Sequence, residues 1–275
     1  MGVSEMQKKA LNDLFIIIRG AGEMATGVAC MLYRANIRRI LMLEKTAPLA
    51  VRRKVSFCEA LYGKIIAVEG IEAVGVSGEA DTILSWNAGR IAVRVDPTAE
   101  SVRRYMPDVL IDATVGKINA GISLADAPFV IALGPGFVAG IDCHVVVETN
   151  RGHDLGRLIT AGMATADTGI PGNVCGYTRE RVLRAPTAGV FVSERCIGDR
   201  VRNGESVGRV DSAEVTVQIG GVLRGLIKSG SYVTSGLKIG DVDPRGEASY
   251  CDTTSEKARM LGGAVLEAVL TAYNR

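Results

Sequence analysis

Strong charge imbalance, long apolar runs, paired cysteines and histidine are all scarce in this 275-residue chain, and each scarcity removes a class of function. Thirty-two Lys and Arg residues against thirty Asp and Glu leave a formal charge of +2. No basic run is dense enough for a nucleic-acid footprint. The short clusters Arg38-Arg39, Arg52-Arg53-Lys54 and Arg103-Arg104 read as solvated helix or turn edges, so no nucleic-acid partner is implied. The longest apolar stretches, Leu14 to Ile18 and Pro128 to Leu133, are strand-sized, far short of the roughly 20 residues of a membrane span. Met1 to Asp13 carries charges but no apolar segment or cleavage pattern of a secretory leader. The expectation is a cytoplasmic protein with no membrane partner.

The six cysteines form no C-x-x-C pair and no cluster at structural-zinc spacing, which suits a reducing compartment. Cys30 and Cys58 lie in apolar helical patterns and read as small buried hydrophobes. Cys143 and Cys175 sit in glycine-rich segments near polar groups and are the candidates for reactivity. Only two histidines are present, and both fall in Gly134-Pro-Gly-Phe-Val-Ala-Gly-Ile-Asp142-Cys-His144 through Arg151-Gly-His153-Asp-Leu-Gly-Arg157. Groups that titrate near neutral pH are therefore concentrated in one short segment.

What is present begins with a 47% hydrophobic, 23% charged composition, enough for one large core or two unequal ones and unlike a disordered chain. Leu14-Phe-Ile-Ile-Ile18 predicts a strand covered on both faces, running into Gly20-Ala-Gly22-Glu-Met24-Ala25-Thr-Gly27. This order is strand, tight turn, helix. Gly20 permits the turn, Gly22 lets backbone approach a phosphate, and Ala25 lets the helix pack closely, so Gly20, Gly22, Met24 and Ala25 form a candidate nucleotide-binding set. A second strand, Ile40 to Leu43, ends at Glu44, where a ribose-binding acid belongs. Glu23 runs against the pattern, because a carboxylate in the first helical turn repels a phosphate placed there.

Asp108 to Thr114 predicts another buried strand, delivering Thr114, Lys117 and Asn119 to the crevice where strand order reverses. Phe129 to Leu133 then leads into Gly134-Pro135-Gly136, adding Gly134 and Gly136 to the same edge. Alternation through Asp142, His144, Val146 and Glu148 predicts a strand with the three polar groups on one face. Arg151 and His153 are expected in a turn that starts a helix and faces that crevice. Asp142, His144, Glu148, Arg151 and His153 are thus the candidate catalytic set, suited to anion binding or acid/base work. A hydrogen-bonded network that merely holds the loop accounts for them equally well, and the histidine spacing matches no metal-ligand motif.

A repeat marks the second half. Ala188 to Asp211 recurs from Gly220 to Asp243 at a fixed offset of 32 residues, matching Gly189 with Gly221, Val201 with Val233 and Asp211 with Asp243. Each copy alternates short β-favouring runs with glycine turns and cannot bury its apolar face alone. The phrasing resembles biotinyl and lipoyl carrier domains, whose halves form a barrel-sandwich, but the segment Asp211-Ser-Ala-Glu214-Val215 at the expected tip has no lysine to modify. A docking or structural role follows. Thr253-Thr-Ser-Glu256 predicts a capping box, and Ala258, Leu261, Val265, Ala268, Val269 and Ala272 form the stripe of a terminal helix. The expected organisation is a flexible N-terminus (1–12), a Rossmann-like parallel α/β domain (13–181), a small all-β domain (182–248) and a C-terminal helix (249–275) packing back on the first domain.

Four segments together resemble the YqeB family of accessory proteins associated with selenium-dependent molybdenum hydroxylases: Arg19 to Gly27, Leu133 to Arg157, Thr168 to Gly172, and Cys251 to Ala258. The resemblance spans nearly the full length and points to Gly20, Gly22, Asp142, His144, Glu148, Arg151, Gly152 and His153; Glu23 stands where the family would carry aspartate. It implies a role in maturing or supplying a molybdenum hydroxylase, whose maturation machinery would be the partner. Three readings stay open: a maturation factor binding a nucleotide or molybdopterin nucleotide, an NAD(P)-dependent oxidoreductase, and a non-catalytic scaffold for a client enzyme. A homo-oligomer is compatible with each.

Overall fold

The computed structural model describes residues 9–274, so most of the expected N-terminal segment lies outside the described residues. Chain contacts divide it into two compact units. The first runs to Pro48, resumes over Phe57–Asp167 and takes in the chain from Ser255 onward; the second comprises Leu49–Ser56 and Thr168–Thr254. The division between the halves therefore falls at 167/168 instead of 181/182, and an early eight-residue segment joins the second unit.

The first unit is built on a nine-stranded, mainly parallel sheet. In chain order its strands are β1 (Phe15–Arg19), β2 (Arg39–Glu44), β3 (Ile66–Val68), β4 (Ile71–Gly75), β5 (Ile91–Val95), β6 (Val109–Asp112) and β7 (Phe129–Leu133). After the short β8 (Val138–Ala139) come β9 (Val145–Val147), β10 (Leu158–Ile159) and β11 (Gly162–Met163), with β8 and β11 paired separately. The sheet order is β10-β9-β7-β6-β1-β2-β5-β4-β3, parallel from β9 to β4 and closed by an antiparallel strand at each edge. Continuous apolar runs explain the central strands: Ile16, Ile17 and Ile18 and all five residues of β7 are buried, as two-sided coverage requires. β1 lies between β2 and β6, and the chain reverses its direction of growth there.

Four α-helices cover this sheet: α1 (Glu23–Arg34), α2 (Glu79–Asn87), α3 (Glu100–Tyr105) and α4 (Glu256–Tyr273). Ile17, Leu41, Ala92, Leu110 and Val130 form one core with Val102 of α3 and Trp86 of α2. α1 and α4 pack on each other through small residues. A Cβ on Gly27 would lie 2.6 Å from the Ala258 carbonyl, and one on Gly262 would lie 2.7 Å from the Gly27 carbonyl. The cap of α4 is Ser255, whose Oγ accepts the Ala258 amide at 3.3 Å, in place of the expected Thr253. Among the described residues no helix is long and apolar enough to cross a membrane.

The second unit consists of two four-stranded antiparallel sheets. Its strands are β12 (Val182–Arg184), β13 (Gly189–Val192), β14 (Arg200–Val201), β15 (Ser206–Val210), β16 (Ala213–Thr216), β17 (Gly221–Leu226), β18 (Ser231–Val233) and β19 (Lys238–Asp243). One sheet is ordered β12-β19-β17-β14 and the other β16-β15-β13-β18. The repeat is visible in the pairing: Gly189 is opposite Val233, and Gly221 is opposite Val201, so each copy's first strand pairs with the other copy's second. Phe191, Val210, Val222, Leu223 and Ile239 fill the core.

A charge network lies on β17 and β19. Asp241, 1% exposed, accepts from Arg181 and from Arg224 Nη2 at 2.8 Å, with Lys238 Nζ at 3.3 Å. Asp243 takes Arg245 Nη2 at 2.7 Å and lies 3.3 Å from Arg224. Burial works to raise the Asp241 carboxyl, but the Lys238, Arg224 and Arg181 charges outweigh it and hold it below the usual carboxylate range.

Candidate functional site

Loops at the C-terminal ends of β1, β6, β7 and β9 meet at one edge of the main sheet. Gly20, at φ 95°, sits so close to the loop after β6 that a Cβ would be 3.2 Å from the Ala113 carbonyl. Gly134, at φ 88°, packs on Thr149 beyond β9, and Gly136, at φ 98°, packs on the Lys117–Ile118 backbone. These three positions demand glycine because both the left-handed conformation and the close approach exclude a side chain. The reversal between β1 and β6 places this edge where open α/β sheets hold their ligands.

The glycine turn is engaged by the protein's own carboxylates. Glu44 Oε2 accepts the Ala21 amide at 3.0 Å and Oε1 accepts the Lys45 amide at 2.9 Å, so the expected ribose acid turns inward to brace the turn. Glu23 accepts the Ser255 amide at 3.0 Å, tying α1 to the start of α4. Cys58 donates its amide to the Ala21 carbonyl at 2.9 Å, which ties the segment 57–62 to the turn. Gly22 and Met24 remain half-buried beside it, with Ala25 fully buried.

Beyond β6, Thr114 Oγ1 donates to Asp112 Oδ1 at 2.6 Å, and Asp112 is ion-paired with Arg19 at 3.1 Å in the sheet interior. Lys117 extends outward and pairs with Asp167 at 2.7 Å. Asn119 is a turn residue: its amide group binds the Gly121 and Ile122 amides and the Ile122 carbonyl, leaving it a local structural part.

The histidine segment differs from expectation. Its strand is only Val145–Val147, and Asp142 lies in the preceding turn, where its carboxylate accepts the Val138 amide at 2.7 Å. His144 precedes β9, at the opposite end of the strand from the loop edge. Its Nδ1 accepts the Val130 amide at 3.0 Å and its ring packs on Phe129, while burial lowers its tendency to take a proton. A neutral, structurally engaged imidazole results. Glu148, 3% exposed, follows β9 and accepts the Asn150 and Thr165 amides, each at 2.7 Å. Burial opposes its ionisation, but these amide donors hold its carboxyl below the ordinary range. No helix follows: residues 149–157 form turns that lead into antiparallel β10, with His153 exposed and Arg151 ion-paired to Glu256. The structure therefore brings Glu148 and Arg151 to the loop edge and leaves His144 and Asp142 away from it.

One residue at this edge escaped the sequence reading. Lys257, in the first turn of α4, is half-buried close to Arg151, Asp167, Glu148 and Glu23, and forms no hydrogen bond or salt bridge among the described residues. Burial, followed by the neighbouring Arg151 charge, holds its ammonium below the usual lysine range. Lys257 lies in the segment Cys251 to Ala258, which the sequence marks as a helix start and as one of the four family-like segments without singling out the lysine. Among the described residues no group of three or more His, Cys, Asp or Glu side chains is placed to hold a metal ion. Cys143 is buried, its thiol pushed up to about 12 mainly by burial, which removes it as a nucleophile; Cys175 is exposed.

A mainly parallel sheet with its glycine turns gathered at one edge, followed by separate antiparallel sheets and a C-terminal helix, defines a mixed α/β protein with a loop-built site. No family profile matches the chain. Its sequence is 43% identical over 93% of its length to the uncharacterized protein YqeB of Escherichia coli (strain K12). The chain spans about half of that relative, 47% of its length. Among solved structures, TcdA (CsdL) aligns over 96% of this chain and 90% of its own at 15% identity and a TM-score of 0.34. A succinylglutamate desuccinylase/aspartoacylase from Rhodobacter sphaeroides aligns over 83% and 84% at 16% identity and a TM-score of 0.25. Likenesses at those scores carry no argument about function.

Proposed function

We propose that this chain is an accessory protein in the maturation of a selenium-dependent molybdenum hydroxylase, holding a nucleotide or a nucleotide-containing molybdenum cofactor at the C-terminal edge of a Rossmann-like sheet. The observation that carries the reading is the convergence of Lys117, Arg151 and Lys257 on the edge formed by the Gly20, Gly134 and Gly136 turns. Cations beside glycine turns at the reversal point of a parallel sheet suit a phosphate-bearing ligand. Three of the four family-like segments contribute the turns, Arg151 and Lys257 to this edge, and the resemblance of all four supplies the hydroxylase connection.

The second unit enters the reading as a barrel-sandwich of the biotinyl or lipoyl type, assembled from two repeats and used for docking, since its expected tip lacks lysine. An NAD(P)-dependent oxidoreductase is the weaker alternative, because Glu44 is bonded to Ala21 and Lys45 instead of standing free for a ribose.

The test is a thermal-shift panel of AMP, ATP, CTP, NAD(H) and NADP(H), in which a ligand of the native state raises the melting temperature with log concentration. Stabilisation by mononucleotides, together with loss of hydroxylase activity in cells lacking the protein, is the expected result. Stabilisation by NAD(H) or NADP(H) alone, or normal hydroxylase maturation in its absence, would overturn the reading.

A further inference from the structure

We propose that the first unit carries a second small-molecule site, a cavity of about 170 Å³ between α2, α3 and the sheet. Its ligand is a single aromatic ring bearing both an ammonium and a carboxylate, as in a free aromatic α-amino acid. The cavity stands apart from the glycine-turn edge and does not depend on the nucleotide reading. Phe15 and Arg39, both on its lining, are the first residues of β1 and β2, whose other ends lead to the Gly20 turn and to Glu44. They are also register partners, so their side chains leave the sheet on the same face.

The walls are aromatic and held in place. Phe15 and Trp86 meet edge to face with centroids 5.3 Å apart, and the indole is fixed because Trp86 Nε1 donates to the Ile40 carbonyl at 2.8 Å. Tyr105 adds a third ring, and its hydroxyl accepts Arg94 Nη1 at 2.9 Å. Thr82, also on the wall, accepts Arg94 Nη2 at 2.9 Å and donates to the Gly78 carbonyl at 2.8 Å. With those polar atoms engaged, the interior offers ring surfaces and the buried side chain of Leu41. An apolar cavity of about 150 Å³ is large enough to hold benzene, so the space suits one ring. Aromatic walls favour an aromatic occupant through edge and offset contacts.

Two opposite charges stand on the same lining. Arg39 and Glu79 make no hydrogen bond or ion pair among the described residues, either with each other or with another side chain. The Arg39 guanidinium rests on the Trp86 ring, 5.5 Å from its centroid. A simple aromatic acid meets Arg39 favourably and Glu79 unfavourably, and an aromatic amine meets them the other way round. A zwitterion gives each side chain a partner of opposite charge.

Trp86 is the only tryptophan of the chain, so its fluorescence reports on this cavity directly. The whole chain is titrated with phenylalanine, phenylpropionate, phenethylamine and glycine while that emission is followed. Phenylalanine is expected to change it saturably, with phenylpropionate and phenethylamine binding at least about five-fold more weakly, the strong end of one exposed ion pair. Glycine, which has the head group without the ring, is expected to leave it unchanged over the same range. Arg39→Gln should weaken phenylalanine binding by about five-fold and abolish the preference over phenethylamine; Glu79→Gln should abolish the preference over phenylpropionate. Both variants should keep the wild-type circular dichroism spectrum, because neither side chain bonds to another part of the fold. No saturable response to phenylalanine, a response to glycine of the same size, wild-type affinity for either single-charge analogue equal to that for phenylalanine, or variants that keep the wild-type preferences would each overturn the proposal.

Discussion

The Glu44 carboxylate accepts the Ala21 amide across 3.0 Å, joining the end of the second strand to the glycine turn that follows the first. Because its other oxygen takes the Lys45 amide, removing the side chain strands two backbone donors at once. Glu44→Ala is expected to lower stability by about 1–3 kcal/mol in urea unfolding. Unchanged stability combined with weaker nucleotide binding would show that the carboxylate serves a ligand instead.

Two adjacent glycines of α4 should respond with opposite signs. A Cβ at Gly262 meets the Gly27 carbonyl at 2.7 Å and Met31 Cβ at 3.0 Å, whereas one at Gly263 meets nothing within 4 Å. Gly263→Ala is expected to stabilise by up to about 1 kcal/mol through helix propensity. Gly262→Ala is expected to destabilise by about 1–3 kcal/mol, since α1 and α4 must separate to admit the methyl group. Chemical denaturation of both variants decides whether the helix contact is as close as described.

Glu148 predicts an acid limb in the stability profile. Its folded carboxyl titrates below the unfolded value of about 4.3, so its contribution is fully present above that value and is lost as pH falls toward the folded pKa. Glu148→Gln should flatten that part of the stability curve between about pH 3 and 5. An unchanged slope would mean that the amides of Asn150 and Thr165 do not favour the ionised form.

Asp241 faces Arg181, Arg224 and Lys238 in the second unit. Asp241→Asn leaves three cations without their shared carboxylate, two of them on buried arginines, and is expected to cost about 3–5 kcal/mol. A thermal shift of a few degrees or less would indicate that water reaches the network.

Thiol labelling offers a separate check on burial. Iodoacetamide applied to the native protein should modify Cys175 and Cys196, with Cys30, Cys58 and Cys143 modified only after denaturation, as read by mass spectrometry. Native-state labelling of Cys143 would contradict its burial in the core of the first unit.

What the sequence made legible was what local patterns encode. The apolar run Phe129–Leu133 became a strand with those same ends, and each residue of the predicted stripe on the terminal helix is buried. The strand expected over Asp142 to Glu148 shrank to three residues because Asp142 bonds the Val138 amide and closes a turn before the strand can begin. Alternation of residue types does not distinguish those outcomes. The site depends still more on distant parts of the chain: Lys257 reaches the Glu23 and Arg151 neighbourhood only because α4 returns to lie on α1. Glu44 had the right position for a ribose acid, yet an amide within reach of its oxygens decided its partner.

The reciprocal pairing of Gly189 with Val233 and Gly221 with Val201 bears on ancestry as well as architecture. A single copy of the repeat lacks the strand that completes its own sheet, and an identical copy supplies it through the same contacts in exchange. Such a half would be finished only as a symmetric pair of separate chains, an isologous assembly whose survival depends on concentration. Joining the two copies in tandem makes the partner permanently available at a high effective concentration, and frees each half to diverge. The charge network on one sheet, with no counterpart required on the other, is the kind of asymmetry that such a fusion permits.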